Sequence, residues 1–204
     1  MIAAIVPAAG QSRRMGRPKL ILPLTDGRSV IATVLNALTG GGVSRTVVVI
    51  SPGDNALSEV LKCEAAEFGA SVVIPQIQPP DMRASVEHGL RELLRTAAKP
   101  TTLLLCPADS PGISAALVSR VIERAKAEPE AIVIPTFQGK RGHPVALPWQ
   151  IAREIPMLPD AVGVNALIKQ HEPIIVEIPE AHPGAVLDLD TPEDYRRWNP
   201  QADC

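Results

Sequence analysis

Short apolar runs alternate along this chain with stretches whose apolar residues recur every three or four positions. The runs cover residues 3–6, 46–50, 71–74, 102–106, 131–134, 144–147 and 174–178. Several are apolar throughout rather than alternating, which predicts strands covered on both faces. Between them Leu57, Val60, Leu61 and Phe68 share a helical face, as do Val86, Leu90, Leu93 and Leu94, and again Leu117, Val118, Val121, Ile122 and Ala125. Ser114 is placed to cap the last of these, and Thr191 to cap a C-terminal helix with Pro192 at its first position. Strand–helix alternation predicts an α/β fold, one domain over residues 1–204, with a mainly parallel sheet sandwiched by helices. Right-handed crossovers then set the loops after the strands on one common edge, where ligands bind. The stretch 135–148, rich in Gly and basic residues, is the main irregular one.

Composition narrows the function classes. Lys and Arg number 20 against 22 Asp and Glu, a net charge of −2, with no basic run, which argues against a nucleic-acid partner. Hydrophobic residues at 46% and charged residues at 21% belong to a globular chain. The longest apolar run, 102–108, is too short to span a bilayer, and no cationic segment precedes the apolar start. Neither a membrane span nor a signal peptide is expected, and a cytoplasmic location is. Aromatics make up only 2%, so the core must rest on Ala, Val, Ile and Leu. Cys63, Cys106 and Cys204 are odd in number and lack CxxC spacing, which reads as reduced thiols, Cys106 packed within a strand.

Four segments carry candidate chemistry. The first strand runs into Pro7-Ala8-Ala9-Gly10-Gln11-Ser12-Arg13-Arg14-Met15-Gly16-Arg17-Pro18-Lys19. Small residues there let backbone amides approach a ligand; Arg then offers forked donors and Lys a compact charge. A loop closing on an anion is the reading set against a solvated basic loop. The spacing is neither G-x-G-x-x-G nor that of a P-loop. Asp109 follows the strand 102–106 on the same edge; facing a polyphosphate it would need a divalent cation between them, and otherwise it is a capping or turn residue. Asp188 and Asp190 share a face across Leu189 if the segment is extended, as metal ligand or helix-dipole partners. In Gly139-Lys140-Arg141-Gly142-His143-Pro144, two cations and a histidine suit either an acceptor phosphate or, for His143, a structural hydrogen bond. His88, His171 and His182 have no metal-ligand spacing and read as surface residues.

In this order the segments resemble the molybdenum-cofactor nucleotidyltransferases (the MobA-like NTP transferases), and among them the cytidylyltransferase branch. Pro7 to Lys19 match the opening motif, with Arg14 and Lys19 on its phosphate-binding positions and Arg13 on a variable one. Asp109 and Pro111 match G-D-x-P, with Ala108 for the glycine. Gly139, Arg141, Gly142, His143 and Pro144 match G-x-R-G-H-P, and Asp188 to Asp194 match D-x-D-T-P-E-D. The resemblance implies a Rossmann-like nucleotidyltransferase fold, Mg²⁺ dependence and attack of an acceptor phosphate on the α-phosphorus of an NTP. It assigns Ala8, Ala9, Gly10, Ser12, Arg14 and Lys19 to the nucleotide, and Lys19, Arg14 and Asp109 to catalysis. Asp109 and Asp190 fall to the metal, with Asp188 open as the alternative to Asp190, and Ser85, Arg141 and His143 to the acceptor. Ala-Ala-Gly goes with CTP in that family, Ala9 narrowing the slot against a purine.

The expected activity is CTP:molybdopterin cytidylyl transfer with release of pyrophosphate, serving a recipient molybdoenzyme. The alternatives are another phosphorylated acceptor such as a sugar phosphate, GTP as donor, or a chaperone that carries nucleotide or cofactor without chemistry. As a loop residue, Lys19 is expected to serve turnover and to add little to the core. Two stretches depart from the family pattern: Asp81-Met82-Arg83-Ala84-Ser85 stands for G-M-x-x-S, and Gly163-Val164-Asn165 for G-A-R. An added carboxylate and a missing guanidinium suit an anionic acceptor poorly.

Overall fold

Alternate side chains of the apolar strands enter two different cores, which is why those runs show no polar alternation. The computed structural model describes residues 1–95, 97–159 and 162–200, the side chain of Glu64 excepted. Its strands are β1 (Ile2–Ala8), β2 (Arg45–Ile50), β3 (Ala70–Val73), β4 (Thr102–Leu105), β5 (Ile132–Phe137), β6 (Lys140–Arg141), β7 (Val145–Pro148) and β8 (Ile175–Pro179). Its α-helices are α1 (Val30–Gly40), α2 (Asn55–Glu67), α3 (Met82–Leu94), α4 (Ala115–Ala127), α5 (Trp149–Ala152), α6 (Val164–Gln170) and α7 (Pro192–Trp198).

The strands form one sheet in the order β3-β2-β1-β4-β7-β5-β6, with β8 paired to β5. β1 lies between β2 and β4 and is parallel to both, Ile5 standing opposite Val47 and Leu105. β3 runs parallel to β2 and β8 to β5, whereas β7 is inserted antiparallel between β4 and β5. The sheet is thus mainly parallel, as the strand–helix alternation predicts. Ala4, Val6 and Ala8 of β1 pack with α1, α2, α4 and α7 on one face, and Ala3 and Ile5 pack with α3, α5 and α6 on the other. Both layers are aliphatic, in keeping with the scarcity of aromatic residues.

Ser114 and Thr191 do cap α4 and α7. The stretch 135–148 is more regular than expected: it holds the end of β5, then β6 and β7. β6, two exposed residues long, has no apolar pattern to announce it. Helix α1 lies outside the helical stretches named above, although Val30, Val34 and Leu38, with Ile31 and Leu35, recur at helical spacing and are buried. Cys63 is free and exposed, Cys106 free and buried, and Cys204 lies outside the described residues. Among the described residues no helix is long and apolar enough to cross a membrane.

Candidate functional site

The segments leaving β1, β3 and β4 at their carboxyl ends line a cleft of about 670 Å³. Crossovers diverge on either side of β1, the position at which open α/β sheets accept ligands. Ser12 shapes the loop after β1. Its φ of 49° lies in the left-handed region, its carbonyl accepts from the Met15 and Gly16 amides at 3.1 Å each, and its Oγ accepts from the Lys19 amide at 3.3 Å. Buried Met15 and Leu20 anchor the turn. A Cβ on Gly10 would meet no atom within 4 Å, so protein packing does not demand glycine there, and the bare backbone on the cleft is left for a ligand to approach.

That loop turns Lys19 inward until it is only 9% exposed. Its Nζ donates to Asp109 Oδ2 at 2.5 Å and to Asp190 Oδ1 at 2.9 Å, while the exposed Arg14 pairs with Asp190 Oδ2 at 2.9 Å. Burial disfavours the ammonium, but Asp109 and then Asp190 outweigh it and hold Lys19 above the usual lysine value. Lys19 is therefore a fixed cation, and a buried one, contrary to the expectation of a loop lysine with little structural part.

Asp190 arrives on a strap between β8 and α7 that is fastened at successive points. A Cβ on Gly184 would stand 2.2 Å from the Gly112 carbonyl oxygen, so the two backbones cross where only glycine fits. Further along, the His143 amide donates to the Ala185 carbonyl, the Leu189 amide to the Asp109 carbonyl and Ser110 Oγ to Asp188 Oδ1, each at 2.7 Å. The strap is not a β-strand, so Asp188 and Asp190 do not share one partner as an extended segment would have them do. Asp188 is held by Ser110, and Asp190 faces the cations. Past the strap, Asp194 Oδ2 accepts from the amides of Asp190 and Thr191 at 3.2 and 2.9 Å, while its own amide donates to Thr191 Oγ1 at 3.2 Å. The capping box of α7 thus also orients the residue that meets Lys19.

The cleft brings together Ala8, Ala9, Gly10, Ser12, Arg14, Lys19, Ser85, Asp109 and Asp190. It does not include Arg141 or His143. Arg141 lies on β6, where its guanidinium is engaged by Glu172 and Glu177 at 2.5 to 3.0 Å, an arrangement that leaves no free fork for an acceptor. His143 borders a separate hollow of about 20 Å³ shared with Pro7, Met82 and Asn165. Burial pushes its pKa down against the opposing pull of Asp188, Asp109 and the Leu105 backbone. Ser85, expected at the acceptor, sits on the first turn of α3 on the lining of this cleft and donates its hydroxyl to the Asp81 carbonyl at 3.3 Å.

The departures from the motif pattern have local explanations. The Asp81 carboxylate caps α3, accepting from the Ala84 amide at 2.8 Å. Arg83 donates to the carbonyls of Leu158, Pro159 and Val162 and pairs with Glu87. Arg83 is thus turned away to protein partners, whereas Asp81 remains exposed on the lining of the cleft. Burial, reinforced by Asp109 and Asp188, pushes the Cys106 thiol up, so it packs as a small apolar group. Two lining or supporting residues went unread in the sequence. Ser51 Oγ and Gln78 Nε2 both donate to the Ala9 carbonyl at 2.9 Å, and the only sequence signal for either is that it follows a parallel strand.

Among the described residues no group of three or more His, Cys, Asp or Glu side chains could hold a metal ion. Asp109 and Asp190 do offer two hard carboxylates bonded to one ammonium. Mg²⁺ is commonly held by one or two carboxylates together with substrate phosphates, and this donor set fits that mode.

A mainly parallel sheet whose carboxyl edge joins small-residue backbone, cations and a carboxylate pair defines a nucleotide-handling α/β transferase. The chain belongs to the MobA-like NTP transferase family, whose domain model matches residues 4–174, and it is a nucleotidyltransferase. It is 30% identical over 200 residues to a 2-C-methyl-D-erythritol 4-phosphate cytidylyltransferase of Cereibacter sphaeroides, covering 91% of this chain and 80% of that protein. It is 24% identical over 194 residues to the molybdenum cofactor cytidylyltransferase of Escherichia coli, covering 95% and 93%. A solved nucleotidyl transferase from Methanothermobacter superposes with a TM-score of 0.76 at 25% identity, covering 97% of this chain and 95% of that one.

Proposed function

We propose that the protein is a Mg²⁺-dependent cytidylyltransferase that joins CTP to a phosphorylated small molecule. The observation that carries this reading is Lys19 Nζ bonded to both Asp109 and Asp190 at the rim of a cleft lined by bare Ala8–Gly10 backbone. An acceptor phosphate oxygen attacks the α-phosphorus, the bond from that phosphorus to its β-bridging oxygen breaks, and pyrophosphate leaves as the new diphosphate linkage forms. The acceptor is already ionised, so no strong general base is needed, and positioning and charge do most of the work. The Ala8–Gly10 backbone and Ser12 seat the nucleotide, and Lys19 with Arg14 meets the charge that grows on the departing phosphates. Asp109 and Asp190 would hold the metal, which supplies Lewis-acid polarisation of phosphoryl oxygens when bound.

Molybdopterin is the first acceptor to try, on the strength of the opening and closing motifs. The 30% identity with 2-C-methyl-D-erythritol 4-phosphate cytidylyltransferase supports a second reading, in which a polyol phosphate takes its place. Pyrophosphate release from CTP, GTP, ATP and UTP, each with molybdopterin, 2-C-methyl-D-erythritol 4-phosphate and sugar 1-phosphates, tests both. Release from CTP with one acceptor and only in the presence of Mg²⁺ is expected. A purine nucleotide as sole donor overturns the base assignment, and CTP binding without release from any acceptor points to a carrier.

A further inference from the structure

Between Ala9 and Ser29 the chain contains no helix, and its only pairing is the isolated bridge of Pro23 to Ser29. Lys19 sits in the middle of that connection, so tertiary contacts alone fix where its ammonium stands. The Leu20 and Leu22 carbonyls accept from the Ile31 and Val30 amides at 3.0 Å each, which ties the segment to the start of α1. Those bonds leave open its distance from Asp190, which arrives on the strap in front of α7.

Tyr195 of α7 closes that gap. It is only 3% exposed, and its hydroxyl donates to the Pro23 carbonyl, beyond Lys19, at 2.6 Å. Its ring lies under the guanidinium of Arg17, before Lys19, with 5.1 Å from carbon to centroid. Asn199 Nδ2 donates to the same Pro23 carbonyl at 3.1 Å, and Thr25 Oγ1 donates to the Trp198 carbonyl at 2.5 Å. One short helix therefore holds both partners of an ion pair. Its capping box orients the Asp190 amide, and Tyr195 grips the chain on both sides of Lys19. Neither Tyr195 nor Arg17 lines the cleft, so they act on a bound nucleotide only through Lys19.

We infer that Tyr195, with Arg17 stacked on it, is a positioning residue that fixes the Lys19 ammonium against Asp190 and so sets how tightly a metal-bound triphosphate is held. The inference rests on the nucleotide-binding reading of the cleft and extends it to two residues outside that cleft. Misplacing a preorganised group by about 1 Å can cost on the order of 100-fold. Losing one fastening among several costs less.

Calorimetric titration of the full chain with Mg²⁺·CTP, and with Mg²⁺·GTP as a second probe, tests it. Arg17→Met and Tyr195→Phe should each weaken nucleotide binding by roughly three- to tenfold. Arg17→Lys keeps a cation over the ring and should bind within about twofold of the wild type. In a Lys19→Gln background, Arg17→Met and Tyr195→Phe should change affinity by less than about twofold, because no ammonium remains to be positioned. Equal losses in both backgrounds, or unchanged affinity in both single variants, overturn the inference. If Tyr195→Phe fails to fold, the exposed Arg17 carries the same comparison. If Lys19→Gln binds too weakly to titrate, the Arg17→Lys variant decides, and its failure to restore affinity overturns the inference. Binding of neither nucleotide by the wild type overturns the reading of the cleft itself, and this inference with it.

Discussion

Lys19 is at once a site residue and a tie between two acidic segments. Removing it leaves Asp109 and Asp190 facing each other without the ammonium that both now contact. Lys19→Gln is therefore expected to lower turnover by 100-fold or so, the scale of losing one preorganised charge contact. It should also cost about 1–2 kcal/mol of stability, because the pair is partly shielded from water. Urea denaturation together with the pyrophosphate assay separates the two effects. The pH dependence has a definite sign. Lys19 is raised above its value in the unfolded chain, so its stabilisation is complete below pH 10.5 and is lost as pH rises through the folded value. The stability gap between wild type and Lys19→Gln should stay flat from about pH 6 to 9 and close only in strong alkali. A gap that varies across neutral pH would contradict the ion-pair assignment.

Among the elements, the boundary of α7 matters most to the site. Burial favours the neutral form of Asp194, but hydrogen bonds from the Thr191 hydroxyl and from the Thr191 and Asp190 amides outweigh it and hold its carboxyl below the ordinary range. Asp194→Asn or Thr191→Ala should cost about 1 kcal/mol at neutral pH, the usual price of a lost helix cap. Because the folded-state pKa is depressed, that contribution is present above about pH 4 and disappears as pH falls through the folded value. The difference between wild type and Asp194→Asn in urea denaturation should therefore shrink as pH falls below about 4. Both variants should also weaken Mg²⁺·CTP, since the same carboxylate orients the Asp190 amide. Undiminished binding would show that the cap and the site are independent. The cap was legible from Thr191 and Pro192 because it is a pattern only a few residues long. The strap that precedes it was not, since its course depends on a glycine crossing between Gly112 and Gly184.

At the scale of the whole molecule, the rim of the sheet neutralises itself in the absence of ligand. Lys19 and Arg14 already satisfy Asp109 and Asp190. A metal ion alone must compete with an ammonium for its carboxylates, and a nucleotide alone must draw the cations away and face bare carboxylates. Arriving together, metal and triphosphate give every charge a partner. Thermal denaturation with MgCl₂ alone, CTP alone in chelator, and both should therefore show two small shifts and one that exceeds their sum, rising with ligand by mass action. An additive response would mean that the two ligands do not meet at this rim. The cores beneath should be indifferent to chelator, because the side chains of Ala4, Val6 and Leu104 carry no atom that could ligate a metal.

Most of the strands and helices, the buried character of the sheet and the caps of α4 and α7 were determined by the sequence itself, because each is a pattern of neighbours within one or two turns or strands. Tertiary structure decided which charges meet. Lys19 stands 90 positions from Asp109 and 171 from Asp190, and strand order together with the course of the strap brings them into contact. It also withdrew Arg141 to Glu172 and Glu177, assigned Asp188 to Ser110, and turned Gln78, a residue with no motif, toward the Ala9 carbonyl. Local physics sets what each segment can become, whereas a contact between distant side chains exists only once packing has chosen which segments lie side by side.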